Sequence, residues 1–497
     1  KIYTDLTKSP SKKIKLIFRL DRAAEIYGIV NINNTTSVLV FAVARKCVYI
    51  QKKDHIMNRI VNDLTHTQQG AIAWNNDLQS SAYFDALSED ELSEREAMLN
   101  CHKWSLRPDI PVKLILLVTL LSVMTVSTAI YAEDLSWGNA DTALGKLTVS
   151  GWVRANYQDK DYSDSDHKLK FNAAKLDLKY DAKTLFGGVE YRCYQNDTLC
   201  DFSTLVNANL GYKLSDTSRI RLGLQDMPFG IGRFWTNSWY GSLLDNAGLE
   251  DVHNLGINWQ QQLSTNTVLD LAYFARDGGS FAGGGGDSAR YAANYVEPED
   301  TTTENIEEKN MWVARINQKI HFDDYPVQLN VGGSYWYSDL ENNSNGQTGH
   351  RHAWNVFGRL NYQKANLTLT AGQNRSDTKS LNATDYTTVG SFESKYFVAN
   401  KSNYYVANID YHINDFYRDY DITPYYSYTV FDKNKSGFAT STRQILGAYM
   451  SMKQFSLAAE YIVGKNDVFI GGDANSLAKG DASGQSKLLN LLFIYSF

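Results

Sequence analysis

The sequence predicts an all-β protein, a 16-stranded antiparallel transmembrane β-barrel with its third long loop folded inward. Three observations carry that prediction. From Lys146 onward the chain breaks into short stretches of period two, and the links between them alternate short and long. Composition agrees, because 32 Tyr, 21 Phe, 10 Trp and 34 Gly beside only 7 Pro suit pleated surfaces. A mean hydropathy of −0.38 excludes a bundle of membrane helices, each of which needs ~20 apolar residues. It does not exclude a barrel, where only alternate residues must face lipid.

The alternation places one set of side chains on each face of a strand. Ile220, Leu222 and Leu224 alternate with Arg219, Arg221 and Gln225; Trp354, Val356, Gly358, Leu360 and Tyr362 alternate with Asn355, Arg359 and Asn361. Strands are predicted at 146–158, 168–181, 185–194, 203–214, 218–226, 254–263, 266–276 and 310–320 in the first half. The second half supplies 326–337, 353–363, 366–374, 403–412, 418–431, 442–452, 455–464 and 487–497. Links after even strands are short, such as Ser215-Asp216-Thr217 and Lys364-Ala365. Those after odd strands are long and polar, such as 277–309, 338–352, 375–402 and 465–486. One rim then carries turns and the other loops, as in outer-membrane barrels with periplasmic turns and extracellular loops. Both barrel termini are expected in the periplasm. Tyr157, Trp312, Tyr411 and Tyr461 fall near strand ends, where an aromatic girdle meets the lipid boundary. Sixteen strands enclose a lumen too wide for side chains to fill, so water occupies it.

One charge-free run, Leu114–Ile130, follows Lys113 and ends in small residues, the pattern of a secretory signal peptide. Cleavage is expected after Ala129 or Ala132. The domain reading is therefore an upstream segment 1–111, a signal peptide 112–132 and a barrel domain 133–497. Residues 1–97 show no sustained period, and the upstream segment is expected to be absent from the mature protein; the rival is a cytoplasmic domain anchored by Leu114–Ile130. Residues 133–497 carry 33 basic and 42 acidic side chains, a net −9, which argues against a nucleic-acid partner. Cys47 and Cys101 lie upstream, while Cys193 and Cys200 form a close pair in the exported part and are expected to be disulfide-bonded.

The third long connection, Met227–His253, is aromatic-rich and bracketed by Pro228-Phe229-Gly230 and Gly248-Leu249-Glu250-Asp251. An exposed loop gains nothing from Phe229, Phe234, Trp235, Trp239 and Leu243 unless they pack, so it is expected to fold against the inner wall. The final strand presents Leu489, Leu491, Phe493, Tyr495 and Phe497 on one face, and this resembles the C-terminal assembly signal of Gram-negative outer-membrane barrels. Together with sixteen strands and a long third loop, it resembles the porins. GLQDMPFG (223–230) and GLEDVHNLG (248–256) are similar to the porin-like group that includes the phosphate-selective porins. The resemblance covers about 146–497.

That resemblance implies a water-filled channel for passive diffusion of small hydrophilic solutes or ions, a homotrimer embedded in outer-membrane lipid, and an eyelet where basic wall residues oppose acidic loop residues. Opposed rings of charge tune ion selectivity in a narrow constriction. The wall candidates are Arg154, Lys175, Lys179, Arg192, Arg219, Arg221, Arg315 and Arg359. Asp226, Asp245, Glu250 and Asp251 are the acidic candidates, with Arg233 as the loop's own cation. Trp235, Trp239 and Tyr240 are candidates for stacking on a solute, with packing against the wall as the alternative. Phosphate selectivity is not carried over, because the exported part is net acidic.

No cofactor or metal is expected. No CxxC or His-Cys cluster occurs, and Gly283–Gly286 lacks the Lys-Ser/Thr and helix of a phosphate-binding loop. The acidic run Glu297, Glu299, Asp300, Glu304, Glu307 and Glu308 reads as a flexible loop. Two other functions compete: an adhesin or receptor acting through its long loops, and an outer-membrane hydrolase using His350 and His352, read as loop residues. No serine signature accompanies those histidines, so no enzyme is expected. N-terminal sequencing of the native protein is expected to begin just after Ala129 or Ala132; an intact mass near 56.1 kDa contradicts the signal reading.

Overall fold

The computed structural model describes residues 135–497, apart from 165, 166, 300, 323, 324, 418, 482 and 483, together with short strands between residues 2 and 49. The signal-peptide run Leu114–Ile130 lies outside the described residues. Two units are distinguished, Lys1–Ala129 and Ile130–Phe497. In the first, Ile2–Leu6, Ile14–Leu20 and Ile26–Asn31 form an antiparallel sheet, and Ala42–Ala44 pairs with Cys47–Tyr49. Ile14, Leu16, Phe18 and Leu20 do alternate with Lys15 and Arg19, but over one strand only, so no sustained period marks residues 1–97.

The second unit is a closed antiparallel barrel of sixteen strands. They are β1 (Lys146–Lys160), β2 (Lys170–Asp181), β3 (Leu185–Tyr194), β4 (Phe202–Ser215), β5 (Ser218–Asp226), β6 (His253–Ser264), β7 (Thr267–Asp277) and β8 (Ile306–Phe322). There follow β9 (Val327–Asn342), β10 (Gln347–Tyr362), β11 (Ala365–Asp377), β12 (Lys401–Tyr411), β13 (Tyr420–Lys433), β14 (Ser441–Met452), β15 (Phe455–Lys465) and β16 (Gln485–Ser496). Each pairs with the next, and β16 returns to β1 with Leu492 opposite Asn156. Where β16 ends, Phe497 exchanges backbone hydrogen bonds with Gly151 at 2.9 and 3.0 Å. Leu135–Gly138 then continues along the edge of β1, with Leu135 opposite Val149. Ile413–Tyr417 likewise prolongs β12 beyond His412 and pairs with β13.

Burial alternates as the period demands. Leu222, Ile316, Val356, Leu369, Ile409 and Leu446 are exposed on the outer face, while Asp270, Arg443, Glu460 and Asn490 are buried on the inner one. The predicted girdle residues Trp312, Tyr411 and Tyr461 are exposed outward; Tyr157 is half-buried beside His167 at 3.2 Å. Inner aromatics lie over glycines of neighbouring strands. A Cβ added at Gly447 would meet the Tyr425 ring at 2.3 Å, and one at Gly372 would meet Tyr404 at 2.5 Å. Cross-strand aromatic cover compensates for glycine's missing side chain.

Two expectations require correction. The polar loop 338–352 is instead strand on both sides of a four-residue turn, Asn343–Gly346, because β9 and β10 run on to Asn342 and from Gln347. Both faces are polar there, so no apolar period marked the strands. The turn closes with the Gly346 N–H donating to Asn342 at 2.8 Å, and Gly346 takes the positive φ of 75° that glycine permits. The acidic run is not free either. Glu304 accepts from the Leu381 N–H at 3.0 Å, and Glu308 pairs with Arg351 at 3.1 Å.

The long loops pack on one another. Asn294–Tyr295, Tyr386–Ser391 and Ser394–Ala399 form a small antiparallel sheet. Its outer edge donates from Phe397 and Ala399 to Ala474 and Leu477 at 2.8 and 2.9 Å. Val389, Tyr396, Val398 and Leu477 are buried in this cap. The Gly447→Val substitution is expected to force Tyr425 off its seat and cost about 1–3 kcal/mol of stability, read as a lower temperature for loss of the heat-modifiable barrel form on a gel.

Candidate functional site

The segment 227–252 carries the most telling interactions. Its backbone and side chains bond to groups on eight strands: β3, β6, β8, β9, β10, β12, β14 and β15. The Gly230 N–H donates to Ser334 Oγ at 2.9 Å, and Arg315 donates to the Gly230 carbonyl at 3.4 Å. Asn237 and Asn408 exchange two hydrogen bonds, each 3.1 Å. Ser238 Oγ and the Trp239 N–H both donate to Glu460 Oε1, at 2.7 and 2.8 Å. Arg443 donates to the Gly241 and Ser242 carbonyls at 3.2 and 3.0 Å and to Asn246 Oδ1 at 2.8 Å. Arg351 donates to the Gly248 carbonyl at 2.9 Å.

A short helix, Leu243–Asn246, sits in the segment, with Ser242 as its N-cap accepting from the Leu244 N–H at 3.1 Å. Aromatic packing adds further attachment. Phe229 meets Trp336 edge-on at 5.6 Å, and Trp239 stacks on Tyr449 at 5.9 Å. Trp235 is fully buried, with Tyr404 stacked at 6.1 Å and Phe229 at 6.3 Å. It has no open face for a solute, which corrects the stacking expectation for this residue. Trp239 and Tyr240 are half-buried, and the Tyr240 hydroxyl donates to the Phe469 carbonyl at 3.1 Å.

The predicted charges divide into groups. Arg192, Arg233 and Asp251 come together around Glu190, which the sequence reading missed. Arg233 donates to Glu190 at 2.7 Å and to Asp251 at 2.5 Å. Arg192 donates to Glu190 at 2.7 Å. His253 Nε2 lies 2.7 Å from Asp251, and the Tyr291 hydroxyl donates to Asp251 at 2.6 Å. Removing one partner from a buried network of this kind strands the other's charge, at about 3–5 kcal/mol.

Elsewhere, Lys175 and Lys179 share Asp177 at 3.4 and 3.5 Å, and Arg315 pairs with Asp270 at 2.9 Å. Arg154 lies over the Trp152 ring at 4.7 Å. Arg219 and Arg221 lie over Phe186 at 5.7 and 5.8 Å, with Arg221 also reaching Asp226 at 3.2 Å. Arg359 donates to Thr368 at 3.0 Å. The thirteen candidates therefore do not form one opposed ring. Asp251 is consumed in a buried pair with Arg233 and Glu250 in bonds to Trp235 and Ser242, and two of the groups gripping the loop are wall carboxylates, Glu190 and Glu460.

Glu250 holds the segment to itself. It accepts from the Trp235 N–H at 2.6 Å and from the Ser242 hydroxyl. Burial pushes its carboxyl up to about 7; the Ser242 and Trp235 bonds and Arg443 oppose this, and the Asp251 charge adds to it. Burial, with the Asp251 and Glu250 charges, also raises Asp245 well above its ordinary range. Burial acts upward on Asp251 too, but Arg233 and His253 outweigh it and hold that carboxyl below its usual value.

The sequence did offer signals for the missed residues. Glu460 is a lone charge at an inward position of the otherwise apolar FSLAAEYIVG, and Arg443 stands in phase with Ile445 and Gly447. Cys193 and Cys200 form a disulfide. His350 and His352, read as loop residues, lie on β10 and are exposed beside Tyr337 and Tyr335, with His352 Nδ1 2.7 Å from the Tyr335 hydroxyl. Among the described residues no group of three His, Cys, Asp or Glu is arranged to hold a metal ion.

No protein-family model and no curated protein matches the chain. Solved structures do. OmpT (in-vitro folded), an outer membrane protein of Vibrio cholerae, is 13% identical with a TM-score of 0.46, over 74% of this chain and 100% of that one. The outer membrane channel DcaP of Acinetobacter baumannii is 14% identical with a TM-score of 0.46, over 72% and 99%. An anion-selective porin from Comamonas acidovorans is 13% identical with a TM-score of 0.42, over 71% and 99%.

Glu250 makes stability depend on pH with a definite sign. Between the ordinary carboxylate value of 4.5 and about 7 the folded protein binds this proton and the unfolded chain does not, so stability falls as pH rises through that window. The loss is on the order of 3 kcal/mol, complete above about 7. Glu250→Gln is expected to flatten that slope and leave only the part Asp245 contributes, measured as unfolding midpoints at several pH values between those limits.

Proposed function

We propose that the chain is an outer-membrane porin, a water-filled channel through which small hydrophilic solutes or ions diffuse passively, constricted where 227–252 crosses the lumen. One observation carries the reading. The segment is bonded to strands from β3 round to β15, and a loop on an open rim could not reach the inner residues of so many. An apolar outer face against lipid and a charged inner face against water complete the arrangement. The proposal includes export by the signal peptide, periplasmic barrel termini, extracellular loops and a homotrimer. Selectivity in such a pore follows from the charges left facing water at the narrowest point. Lys175, with its side chain about one-fifth exposed and opposite Arg192, and Arg154, over the Tyr194 ring at 5.7 Å, are wall cations beside the Glu190 network.

The test is conductance of purified, folded protein in a planar bilayer. Discrete ohmic steps are expected, and silence from protein that keeps its heat-modifiable form overturns the proposal. Glu460→Ala removes the acceptor of Ser238 and Trp239 and is expected to loosen the constriction, raising single-channel conductance by about twofold or more.

A further inference from the structure

The outer face of β11 and β12 changes character along its length. Its outward cross-strand pairs run Leu369 opposite Ala407, Ala371 opposite Tyr405, Gln373 opposite Asn403, and Arg375 opposite Lys401. The ladder thus passes from apolar pairs, through an amide pair bonded at 2.8 Å, to a pair of cations. Successive pairs are about 7 Å apart along the strand. Around the apolar end lies an outward depression of about 540 Å³, lined by Val356, Gly358, Leu369, Ala371, Tyr405 and Ala407. It exists because the small outward residues Gly358, Ala371 and Ala407 stand among bulkier ones.

The cation pair needs an explanation. Like charges directly opposite on neighbouring strands repel. Arg375 and Lys401 are both exposed, and His352 stands opposite Arg375 on the other side. Two carboxylates on neighbouring positions are bonded elsewhere: Asp377 to Lys379 at 2.6 Å, and Asp432 to the Thr440 hydroxyl at 3.0 Å. Cations immediately beyond an apolar band attract anionic lipid headgroups, at about 1 kcal/mol each.

We propose that this ladder is a binding site for one phosphate-bearing, acylated glycolipid of the outer leaflet, with an acyl chain in the depression, the sugar at Gln373 and Asn403, and a phosphate between Arg375 and Lys401. The proposal rests on the reading that the exposed apolar band faces the outer-membrane lipid. Charge and shape are matched independently. The amide pair offers hydrogen bonds at the depth where a sugar joins its chains, and the cations come one pair further out.

The experiment uses the full folded chain in zwitterionic detergent micelles, with an acylated disaccharide lipid A carrying two phosphates as probe and native mass spectrometry as readout. Wild type is expected to retain one such lipid. The double substitution Arg375→Glu with Lys401→Glu is expected to weaken retention by at least about tenfold. Ala371→Phe, which fills the depression, is expected to do the same. Ala314→Phe, in the separate outward depression of about 340 Å³ beside Trp312 and Tyr335, is expected to change nothing. Equal retention by wild type and the charge-reversed protein overturns the proposal, as does equal retention of the dephosphorylated lipid or of a zwitterionic phospholipid. Heat-modifiability of each variant identifies any that fail to fold, and the single Lys401→Gln then carries the comparison, with a smaller loss expected. Conductance of the same variants separates the two readings. Loss of lipid with conductance intact supports the site, whereas a silent wild type that still discriminates the lipids removes only the channel reading.

Discussion

A backbone crossing hydrocarbon must satisfy every N–H and C=O within the protein, and the rest of this structure follows from that constraint. A sheet meets it only by closing. Here closure is made by β16 pairing with β1, helped by two small pieces, the Phe497–Gly151 backbone pair and the Leu135–Gly138 strand. Once the sheet closes with sixteen strands, its outer face must be apolar and its inner face surrounds more space than side chains can fill. Polarity on the inside then becomes possible, and with it a way to hold a loop.

The inner wall uses buried charge as an anchor for backbone. Arg351 and Arg443 donate to loop carbonyls, while Glu460 accepts a loop N–H and a hydroxyl. A side chain that bonds to backbone constrains where the loop runs without prescribing the loop's own side chains. Each anchor is itself held by an ion pair or a second bond: Arg443 by Asp467 at 2.7 Å, Arg351 by Glu308, and Glu460 by the Tyr425 hydroxyl at 2.7 Å. A buried charge without such support would be costly. The loop is thereby connected to the strands that carry the cap, because Asp467 and Glu308 stand where the long loops leave the barrel.

Much of the fold was legible in the chain, and for definite reasons. Period two is a property of the strand itself, so Ile220–Leu224 and Trp354–Tyr362 announced their faces without any partner. The legibility ended where both faces became polar. Ser338–His352 has no apolar alternation because that part of the hairpin stands clear of the apolar band, and it was read as a loop. Tyr386–Ser391 was missed for the opposite reason, since it is strand buried among loops on both faces and shows no alternation of exposure.

The candidate site was legible in its aromatic content and not in its bonding. Phe229, Trp235 and Leu243 are buried as the sequence required and Trp239 is half-buried, whereas Phe234 is 50% exposed beside Arg233. Which charges grip the segment depends on strands far apart in sequence, and only the tertiary structure brings Glu190, Arg351, Arg443 and Glu460 to one loop. The same division applies to the exposed outer face of the barrel. Sequence by itself determined sixteen alternating strands and, apart from the tight turn Asn343–Gly346, their turn-and-loop rims, because hydrogen-bond geometry and side-chain parity are local. The tertiary structure decided register, and register alone sets Arg375 opposite Lys401 and closes β16 on β1, because a slip of one residue would turn every side chain to the other face.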